Sequence, residues 1–298
     1  MHLFHTLFSY LQYLLIRLLN FLYELVPDYK AYAIGASVTR AFYPFFRARR
    51  RIAINNILQA HITEDPLEAD RIARQAFGHL AGHICEALKV GGIITSENWK
   101  DHVTFDGPEE TWKLLMETPD VPVMILTGHL GVWEIAVSLI SFTRPMIAVA
   151  RKMNNPFIER FLKAHHFRGK ITIIPKTSGF SASALRLWDE QKAAMTLVMD
   201  QHASEKNGIR VPFMGRSAAT HTSPARLHLK TGAPIIVGAF IRDGAFRYRM
   251  VAGAPIRFAP SGNRTEDIQN LLIEINRRIE IIVRRYPEQY LWAHNRWR

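Results

Sequence analysis

The stretch PVMILTGHLGVWEIA, residues 122 to 136, joins a short apolar run to a histidine and then to a helix-like segment. The run PVMILTG has the length and the Val, Ile and Met content of a buried strand. His129 follows it directly, and Glu134 comes five residues later, with Gly131 between them. A strand, a tight turn and a helix start in this order are typical of α/β sheets.

The rest of the second half repeats this alternation of apolar runs and helix-length segments. The further runs are PMIAVAR at 145 to 151, ITIIP at 171 to 175, MTLVMD at 195 to 200 and PIIVGAFIR at 234 to 242. FRYRMVAG at 246 to 253 predicts an antiparallel or edge strand, and EDIQNLLIEINRRIEIIVRRY at 266 to 286 predicts a late amphipathic helix. Because parallel strands need crossover helices between them, we predict an α/β fold with a helix-covered mixed sheet.

The composition limits both the architecture and the partners. With 298 residues and 48% hydrophobic content, the chain can bury one sizeable core. Its one cysteine, Cys85, cannot form an internal disulfide, so the fold does not depend on an oxidising compartment. The formal net charge of +12 predicts attraction to phosphates, acidic lipid headgroups or an acidic protein, and charge alone does not choose among them.

The first 26 residues, MHLFHTLFSYLQYLLIRLLNFLYELV, form an apolar segment in which only Arg17 and Glu24 carry a full charge. The segment is long enough to cross a bilayer, so we predict a retained membrane-anchoring helix over 1–26 and one folded domain over 27–298. Arg17 would be costly at the bilayer centre, which leaves a helix in the membrane interface, or one buried in the protein core, as alternatives. The arginines that follow the segment predict that the bulk of the chain is cytoplasmic. They are Arg40, Arg47, Arg49, Arg50 and Arg51.

The segment DPLEADRIARQAFGHLAGHICEALKV, residues 65 to 90, predicts a long helix that ends at the glycine pair directly after it. His79 and His83 lie four residues apart in it, and Glu86 follows within a turn, which is the spacing of a possible metal-ligating face. Neither a fourth ligand nor an H-E-x-x-H arrangement accompanies them. We therefore predict a packed or solvated helix face rather than a metal site, and little effect of His79→Ala on activity.

Polar residues follow three of the predicted strands. His129, Arg151 and Asp200 lie at or just past strand ends, and ligands of such sheets gather at the carboxyl ends of the strands. If the helix starts near Gly131, Glu134 in its first turn can reach back to one imidazole nitrogen of His129. A histidine oriented by a carboxylate can take a proton from a hydroxyl group. The alternative is a buried histidine that has no catalytic role and uses the carboxylate only as a hydrogen-bond partner.

The sequence offers no protein nucleophile for such a base. The stretch TGHLGVWE lacks a G-x-S-x-G elbow, and Cys85 lies in a different predicted helix. The hydroxyl group that loses its proton would therefore belong to a substrate.

Several motifs in a fixed order resemble a known family. They are TGHLGVWEIA at 127 to 136, AVARKMNNPF at 148 to 157, VMDQ at 198 to 201, IRVPFMGRSAATHTSPARLHLKTGAP at 209 to 234 and PEQYLWAHNRWR at 287 to 298. With the apolar N-terminus and RRRIAINNI at 49 to 57, they make nearly the whole chain resemble the lipid A biosynthesis acyltransferases, the late lauroyl and myristoyl transferases. These enzymes belong to the lysophospholipid acyltransferase superfamily, in which an acidic residue follows the motif histidine after five positions.

The resemblance implies a fold of the glycerol-phosphate acyltransferase type and a defined reaction. A fatty acyl chain would pass from acyl carrier protein to a hydroxyl group of a lipid A precursor, in lipopolysaccharide biosynthesis. Neither an organic cofactor nor a metal is implied. The protein would be a membrane protein of the cell inner membrane, with its catalytic domain on the cytoplasmic face.

The resemblance also implies roles for the residues that match its motifs. His129 would be the general base, Glu134 would orient it, and Arg151 would stabilise the oxyanion of the tetrahedral intermediate. Substrate-binding roles are implied, without an assigned chemical step, for Asp200, Gln201, Arg216 and Thr220. The chain departs from the family pattern at Met214, where an aromatic residue is usual, and at Val132, where asparagine is commoner.

Three alternative functions stay open. A phosphatidylinositol mannoside acyltransferase would use a similar histidine and carboxylate with acyl-coenzyme A and a mannose hydroxyl group. An acyltransferase for another membrane lipid, such as an ornithine or glycosylated lipid, is the second alternative. A nucleic-acid-binding protein would use RARRR at 47 to 51 as a basic patch. The sequence contains no recognisable nucleic-acid-binding module, so we predict no nucleic-acid partner.

Overall fold

A computed structural model describes residues 2–150, 155–166, 169–175, 182–204 and 206–297 of the chain. The strands in these residues are β1 (Val103–Asp106), β2 (Val123–Thr127), β3 (Met146–Ala150), β4 (Ile171–Pro175), β5 (Ala194–Val198), β6 (Gly208–Phe213), β7 (Arg216–His221), β8 (Ile235–Gly244) and β9 (Arg247–Ala252). The helices are α1 (His2–Glu24), α2 (Ala31–Phe42), α3 (Arg47–Gln59), α4 (Pro66–Ile93), α5 (Glu109–Trp112), α6 (Trp133–Ser141), α7 (Pro156–His166), α8 (Ala182–Glu190), α9 (Ser223–Thr231) and α10 (Arg264–Arg285).

Within the described residues, seven strands form one sheet in the order β1-β9-β8-β2-β5-β3-β4. The five strands from β8 to β4 are parallel. Strand β9 runs antiparallel to β8, and β1 pairs in parallel with β9. Strands β6 and β7 form a separate antiparallel hairpin. The predicted helix-covered mixed sheet and its antiparallel strand are confirmed, whereas β1 and the hairpin were not predicted.

Alternate side chains of the central strands enter apolar clusters on opposite faces of the sheet. On one face, Leu126 of β2 belongs to the same cluster as Leu272 of α10. On the other face, Ile125 of β2 belongs to the same cluster as Ile135 of α6. Because both faces are covered, these strands are almost continuously apolar, which is why the sequence pattern predicts them.

Helix α4 begins where the sequence predicts and ends later. The Asp65 side chain accepts a hydrogen bond from the Leu67 amide at 3.0 Å, and Pro66 occupies the first turn, so the N-terminus has a standard cap. The predicted end at the glycine pair is wrong, because the helix continues to Ile93. Glycine costs only about 1 kcal/mol in a helix interior, which continued hydrogen bonding and packing can offset.

The N-terminal helices expose apolar side chains. On α1 the exposed residues form one stripe, and on α2 and the turn after it they form another. The first stripe contains Leu11, Leu14, Leu15, Leu18 and Leu22, with Leu25 directly after the helix, and the second contains Ile34, Val38, Phe42, Phe45 and Phe46. No helix in the described part of the chain has the length and hydropathy needed to span a membrane. The predicted transmembrane helix is therefore not supported, and the division at residue 26 stays a prediction.

The turn between β2 and α6 depends on glycine. Gly131 has a φ of 63°, in the left-handed region that favours glycine. Its backbone passes directly against β8: a Cβ atom added at Gly131 would overlap the Phe240 carbonyl oxygen. The same oxygen accepts a hydrogen bond from the Val132 amide at 2.7 Å. Gly131 therefore allows the turn, as the sequence predicts, and also its close docking on the sheet, which the sequence does not predict.

We expect Gly131→Ala to lower the free energy of unfolding by more than about 2 kcal/mol, because it combines backbone strain with overlap of Phe240. Gly215→Ala is the matched control. Gly215 has a φ of 73°, but a Cβ atom there meets nothing within 4 Å, so only the strain of about 1 kcal/mol applies. Urea unfolding of both variants makes the comparison, and equal losses would contradict the proposed docking of the turn.

Candidate active site

The site lies where two neighbouring parallel strands end. Strand β2 ends at Thr127 and β5 ends at Val198, and these two residues are paired across the sheet. His129 follows β2 by two residues, and Asp200 follows β5 by two residues. Because paired parallel strands end at the same edge, the sheet brings His129 and Asp200 together, although they are 71 positions apart in the chain.

Asp200 holds His129 by two hydrogen bonds. Its Oδ1 atom accepts from Nδ1 of the ring at 2.8 Å, and its Oδ2 atom accepts from the His129 backbone amide at 2.8 Å. Nδ1 therefore carries hydrogen, and Nε2 is the nitrogen available for exchanging protons with a substrate. The Gln201 amide nitrogen lies 3.3 Å from Nε2. The His129 side chain is 21% exposed while that of Asp200 is 3% exposed, so the ring reaches outward from a buried support.

Asp200 is ionised in spite of its burial. Burial by itself would raise the pKa of the carboxyl, but the His129 charge, both hydrogen bonds from His129 and the Arg296 charge hold that pKa below its usual value. Burial raises the pKa of the Tyr290 hydroxyl, and the charge of Asp200 and a hydrogen bond to it raise that pKa further. The carboxylate thus lies between a tyrosine that remains a donor and two basic side chains, His129 and Arg296, that favour its ionised form.

Glu134 supplies a second carboxyl group near His129. It lies in the first turn of α6, where a negative charge interacts favourably with the helix dipole. Burial raises the pKa of the Glu134 carboxyl, and the His129 charge opposes that rise. His129 also contacts the Trp133 ring edge-on, with 5.3 Å between ring centroids. The structure therefore bonds His129 to Asp200, and the pairing of His129 with Glu134 stays a prediction.

The C-terminal segment holds the turn from outside the sheet. The Leu291 amide donates to the His129 carbonyl at 3.0 Å, and the Gly131 amide donates to the Gln289 carbonyl at 2.9 Å. Arg296 is buried, and its Nη1 atom donates to the Gln201 carbonyl at 3.2 Å. The sequence motif at 287 to 298 was noticed only as part of the family resemblance, and its contact with the turn between β2 and α6 was not predicted.

Comparison with known proteins shows the family. The model of the bacterial lipid A biosynthesis acyltransferases matches residues 1–298. The chain belongs to this family. It is therefore an enzyme, an acyltransferase, and the family implies an acyl donor and a lipid A or related glycolipid acceptor. No individual curated protein matched the chain.

The remaining site residues predicted for the acyltransferase occupy different surroundings. Thr220 is fully buried, and its hydroxyl oxygen accepts at 2.7 Å from Arg296, which also donates to the Gln201 carbonyl. The Arg216 guanidinium contacts the Gln59 side chain and lies 5.2 Å from the centre of the Trp297 ring. Arg151 lies outside the described residues. The assignments of Arg216 and Thr220 to substrate binding, and of Arg151 to the oxyanion, stay predictions.

The face of α4 that carries His79, His83 and Glu86 is packed against the protein. His79 and Glu86 bond to protein groups: His79 Nε2 lies 3.0 Å from the Gly131 carbonyl, and Glu86 accepts from the Tyr248 hydroxyl at 2.9 Å. No cluster of three or more metal-ligating side chains occurs among the described residues. Of the packed and the solvated face that the sequence leaves open, the structure contains the packed one at these positions.

A narrow apolar cavity lies between α6 and the sheet of the acyltransferase. Trp133 lines one side of it, and Ile236 and Phe240 of β8 line another. Its lining is almost entirely apolar, with hydroxyl groups contributed by Thr127 and Thr196. Since Trp133 also contacts His129, the cavity begins beside the turn between β2 and α6.

We expect Glu134→Gln to raise the melting temperature at pH 7 to 8 while it impairs acyl transfer. Burial raises the pKa of Glu134 in the folded state, so ionisation of this group destabilises the fold. That penalty is absent below the unfolded pKa and complete above the folded pKa, so the gain should vanish as the pH falls to about 4. Circular dichroism melts across this range measure it.

Glu117→Gln, at an exposed position, is the control for this comparison and should not change the melting temperature appreciably. A Glu134→Gln protein that is less stable than wild type at pH 7 to 8 would contradict a net cost of burying the charge.

Proposed function

We propose that the protein transfers a fatty acyl chain from acyl carrier protein to a hydroxyl group of a lipid A precursor, at the cytoplasmic face of the inner membrane. The observation that supports the chemistry most is the 2.8 Å bond between Nδ1 of His129 and the Asp200 carboxylate. It orients a partly exposed imidazole at the edge of the sheet where substrates of such folds bind. The family match supports acyl transfer to a lipid A or glycolipid acceptor.

In the proposed reaction, Nε2 of His129 takes the proton from the acceptor hydroxyl group. The oxygen attacks the thioester carbonyl of the donor, and a tetrahedral oxyanion forms. The C–S bond then breaks as the carbonyl re-forms, and the departing thiolate takes the proton from the imidazolium. The Asp200 carboxylate favours the first step, because it stabilises the positive charge that develops on the ring.

Two neighbours of the ring complete this proposal. Glu134 adds a second negative charge, which favours the imidazolium form of His129 further. This role explains why the site contains a carboxyl group whose burial is costly. The Gln201 amide, 3.3 Å from Nε2, would donate a hydrogen bond to the acceptor oxygen as it approaches this nitrogen. Arg151 keeps the oxyanion role that its motif implies.

The apolar cavity beside Trp133 would take the part of the donor's acyl chain that lies next to the thioester. Its wall of Val137, Ile140 and Phe240 offers dispersion contacts, as a hydrocarbon tail requires. An acyl chain in this cavity would have its thioester next to His129, because Trp133 both lines the cavity and contacts His129. The net charge of +12 favours an acidic carrier protein as the source of that chain.

Membrane association is the remaining part of the proposal. The exposed apolar stripes of α1 and α2 offer aliphatic and aromatic side chains to a lipid phase, including Phe45 at 77% exposure. Arg47, Arg49 and Arg51 follow the second stripe and are largely exposed, where they would bind acidic headgroups. Cell fractionation tests this: we expect recovery with the membranes, and recovery of folded enzyme in the soluble fraction would contradict it.

The reaction is tested by mass spectrometry of lipid A from a bacterial host that lacks its late acyltransferases. With this protein present, we expect a new lipid A species heavier by one fatty acyl group. His129→Ala should reduce that species by at least about 100-fold, since general base catalysis contributes this much or more. The host must contain equal amounts of folded wild-type and His129→Ala protein for this comparison.

Two results would count against parts of the proposal. A new acylated species that persists with folded His129→Ala would contradict the mechanism. Unchanged lipid A in the presence of folded, membrane-bound wild-type protein would contradict the acceptor and leave another membrane lipid as the acceptor to test.

A further inference from the structure

The carbonyl group of Gly131 is held by a histidine from a distant helix. Nε2 of His79, on α4, lies 3.0 Å from the Gly131 oxygen, and Nδ1 lies 3.1 Å from the Tyr32 hydroxyl on α2. A carbonyl oxygen can only accept, so Nε2 carries the hydrogen and Nδ1 accepts from Tyr32. His79 is 4% exposed, and burial is the main reason that its pKa is lowered to about 4. It is therefore neutral, with one tautomer, at neutral pH.

Gly131 is thus fixed at both of its backbone polar groups. Its amide donates to the Gln289 carbonyl at 2.9 Å, and its carbonyl accepts from His79. The residue lies midway between His129 and the start of α6, which carries Glu134. Any rotation of the peptide unit at Gly131 would change the direction in which both side chains point.

The supports of Gly131 are connected to one another. The Gln289 side chain bonds to the backbone amide and carbonyl of Arg242 at 2.9 and 3.0 Å. The Arg242 guanidinium lies 3.7 Å from the centre of the Tyr32 ring and donates to Glu86 at 2.9 Å. The Tyr32 hydroxyl in turn bonds to Nδ1 of His79. The contacts form a closed ring around the turn, in which His79 is the only member that bonds to the Gly131 carbonyl among the described residues.

Close packing gives this ring little freedom to move. A Cβ atom at Gly82 of α4 would lie 2.7 Å from the Tyr32 ring, and one at Gly35 of α2 would lie 2.7 Å from the Ala81 carbonyl. The two helices therefore approach as closely as glycine permits. Tyr32 is held against α4, which keeps its hydroxyl on Nδ1 of His79.

We propose that His79 is a positioning residue for acyl transfer, which holds the Gly131 carbonyl and thereby the catalytic turn that carries His129 and Glu134. This inference rests on the proposed function, because acyl transfer is the activity that its test measures. It predicts a larger effect of replacing His79 than a packed helix face alone suggests. It also connects the turn to α2, whose opposite side carries the exposed apolar stripe.

The test compares His79→Phe, His79→Gln and the control His228→Phe in steady-state acyl transfer with purified protein. His228 is also buried and also bridges two backbone groups, Ala233 and Phe258, but it lies near the amino end of β8, away from the site. We expect His79→Phe to lower kcat about 10- to 100-fold with KM little changed, because the turn is misplaced while the substrate surfaces remain. His79→Gln, which can still donate to Gly131, should recover part of the loss, and His228→Phe should keep the wild-type kcat per folded molecule.

A second readout does not depend on the reaction. Hydrogen–deuterium exchange of peptides that cover residues 128 to 133 should be faster in His79→Phe than in wild type or His228→Phe, because the amides of this turn lose their fixed geometry. Wild-type protein without acyl transfer would contradict the proposed function, and the exchange experiment would still test His79.

The proposal is overturned if His79→Phe keeps the wild-type kcat, if it changes KM alone, or if exchange in the turn is unaltered. If His79→Phe does not fold, Tyr32→Phe replaces it, since loss of the Tyr32 hydroxyl leaves Nδ1 of His79 without its donor. Tyr32→Phe should then lower kcat by a smaller factor, with KM little changed. Wild-type kcat in Tyr32→Phe together with unaltered exchange of residues 128 to 133 in that variant would equally overturn the proposal.

Discussion

The pair of hydrogen bonds between His129 and the Asp200 carboxylate is the contact on which the rest of the site depends. One bond sets the direction of the imidazole ring, and the other sets the backbone that carries it. A buried carboxylate would be costly without such partners, and the neighbouring charges of His129 and Arg296 keep the pKa of Asp200 low enough for it to remain ionised. Contacts with His129 and the charge of Arg296 together therefore allow the same group to be both buried and ionised.

Much of the remaining structure supports this contact from several directions. The central sheet places the ends of β2 and β5 side by side. The C-terminal segment adds an isolated bridge between Leu130 and Tyr290, and Asn56 of α3 holds that segment by donating to the Trp292 carbonyl at 2.8 Å. Helices α2 and α4 reach the turn through His79. Segments from the beginning, middle and end of the chain thus meet at one turn, which explains why family motifs are spread over the whole sequence.

The sequence predicts the central sheet well, because strands buried on both faces are continuously apolar. It does not predict β1, which is only four residues long and is nowhere fully buried, or the hairpin of β6 and β7, where a proline at 212 interrupts the pattern. His129 and Glu134 are visible as candidates because they are close in sequence. The contact between His129 and Asp200 is not, because it requires the pairing of β2 with β5, and strand order is a property of tertiary packing.

The same reason applies to His79. Its spacing from His83 on α4 suggested a helix face, and nothing in the sequence indicates that this face meets the carbonyl of a glycine 52 positions later. Likewise the long N-terminal apolar segment predicts an anchor, whereas the structure distributes exposed apolar side chains over α1, α2 and the turn that follows. Local pattern predicts the elements, and packing decides which of their side chains serve the site.

The most direct test of this account is the single-turnover rate of acyl transfer by purified Asp200→Asn. Asparagine keeps the size of the side chain but removes the charge that stabilises the imidazolium, so we expect a rate at least about 100-fold below wild type in a folded protein. Asp189→Asn, which changes an exposed aspartate of α8, is the matched control and should retain the wild-type rate. A folded Asp200→Asn protein as fast as this control would contradict the account, because His129 would then act without the carboxylate.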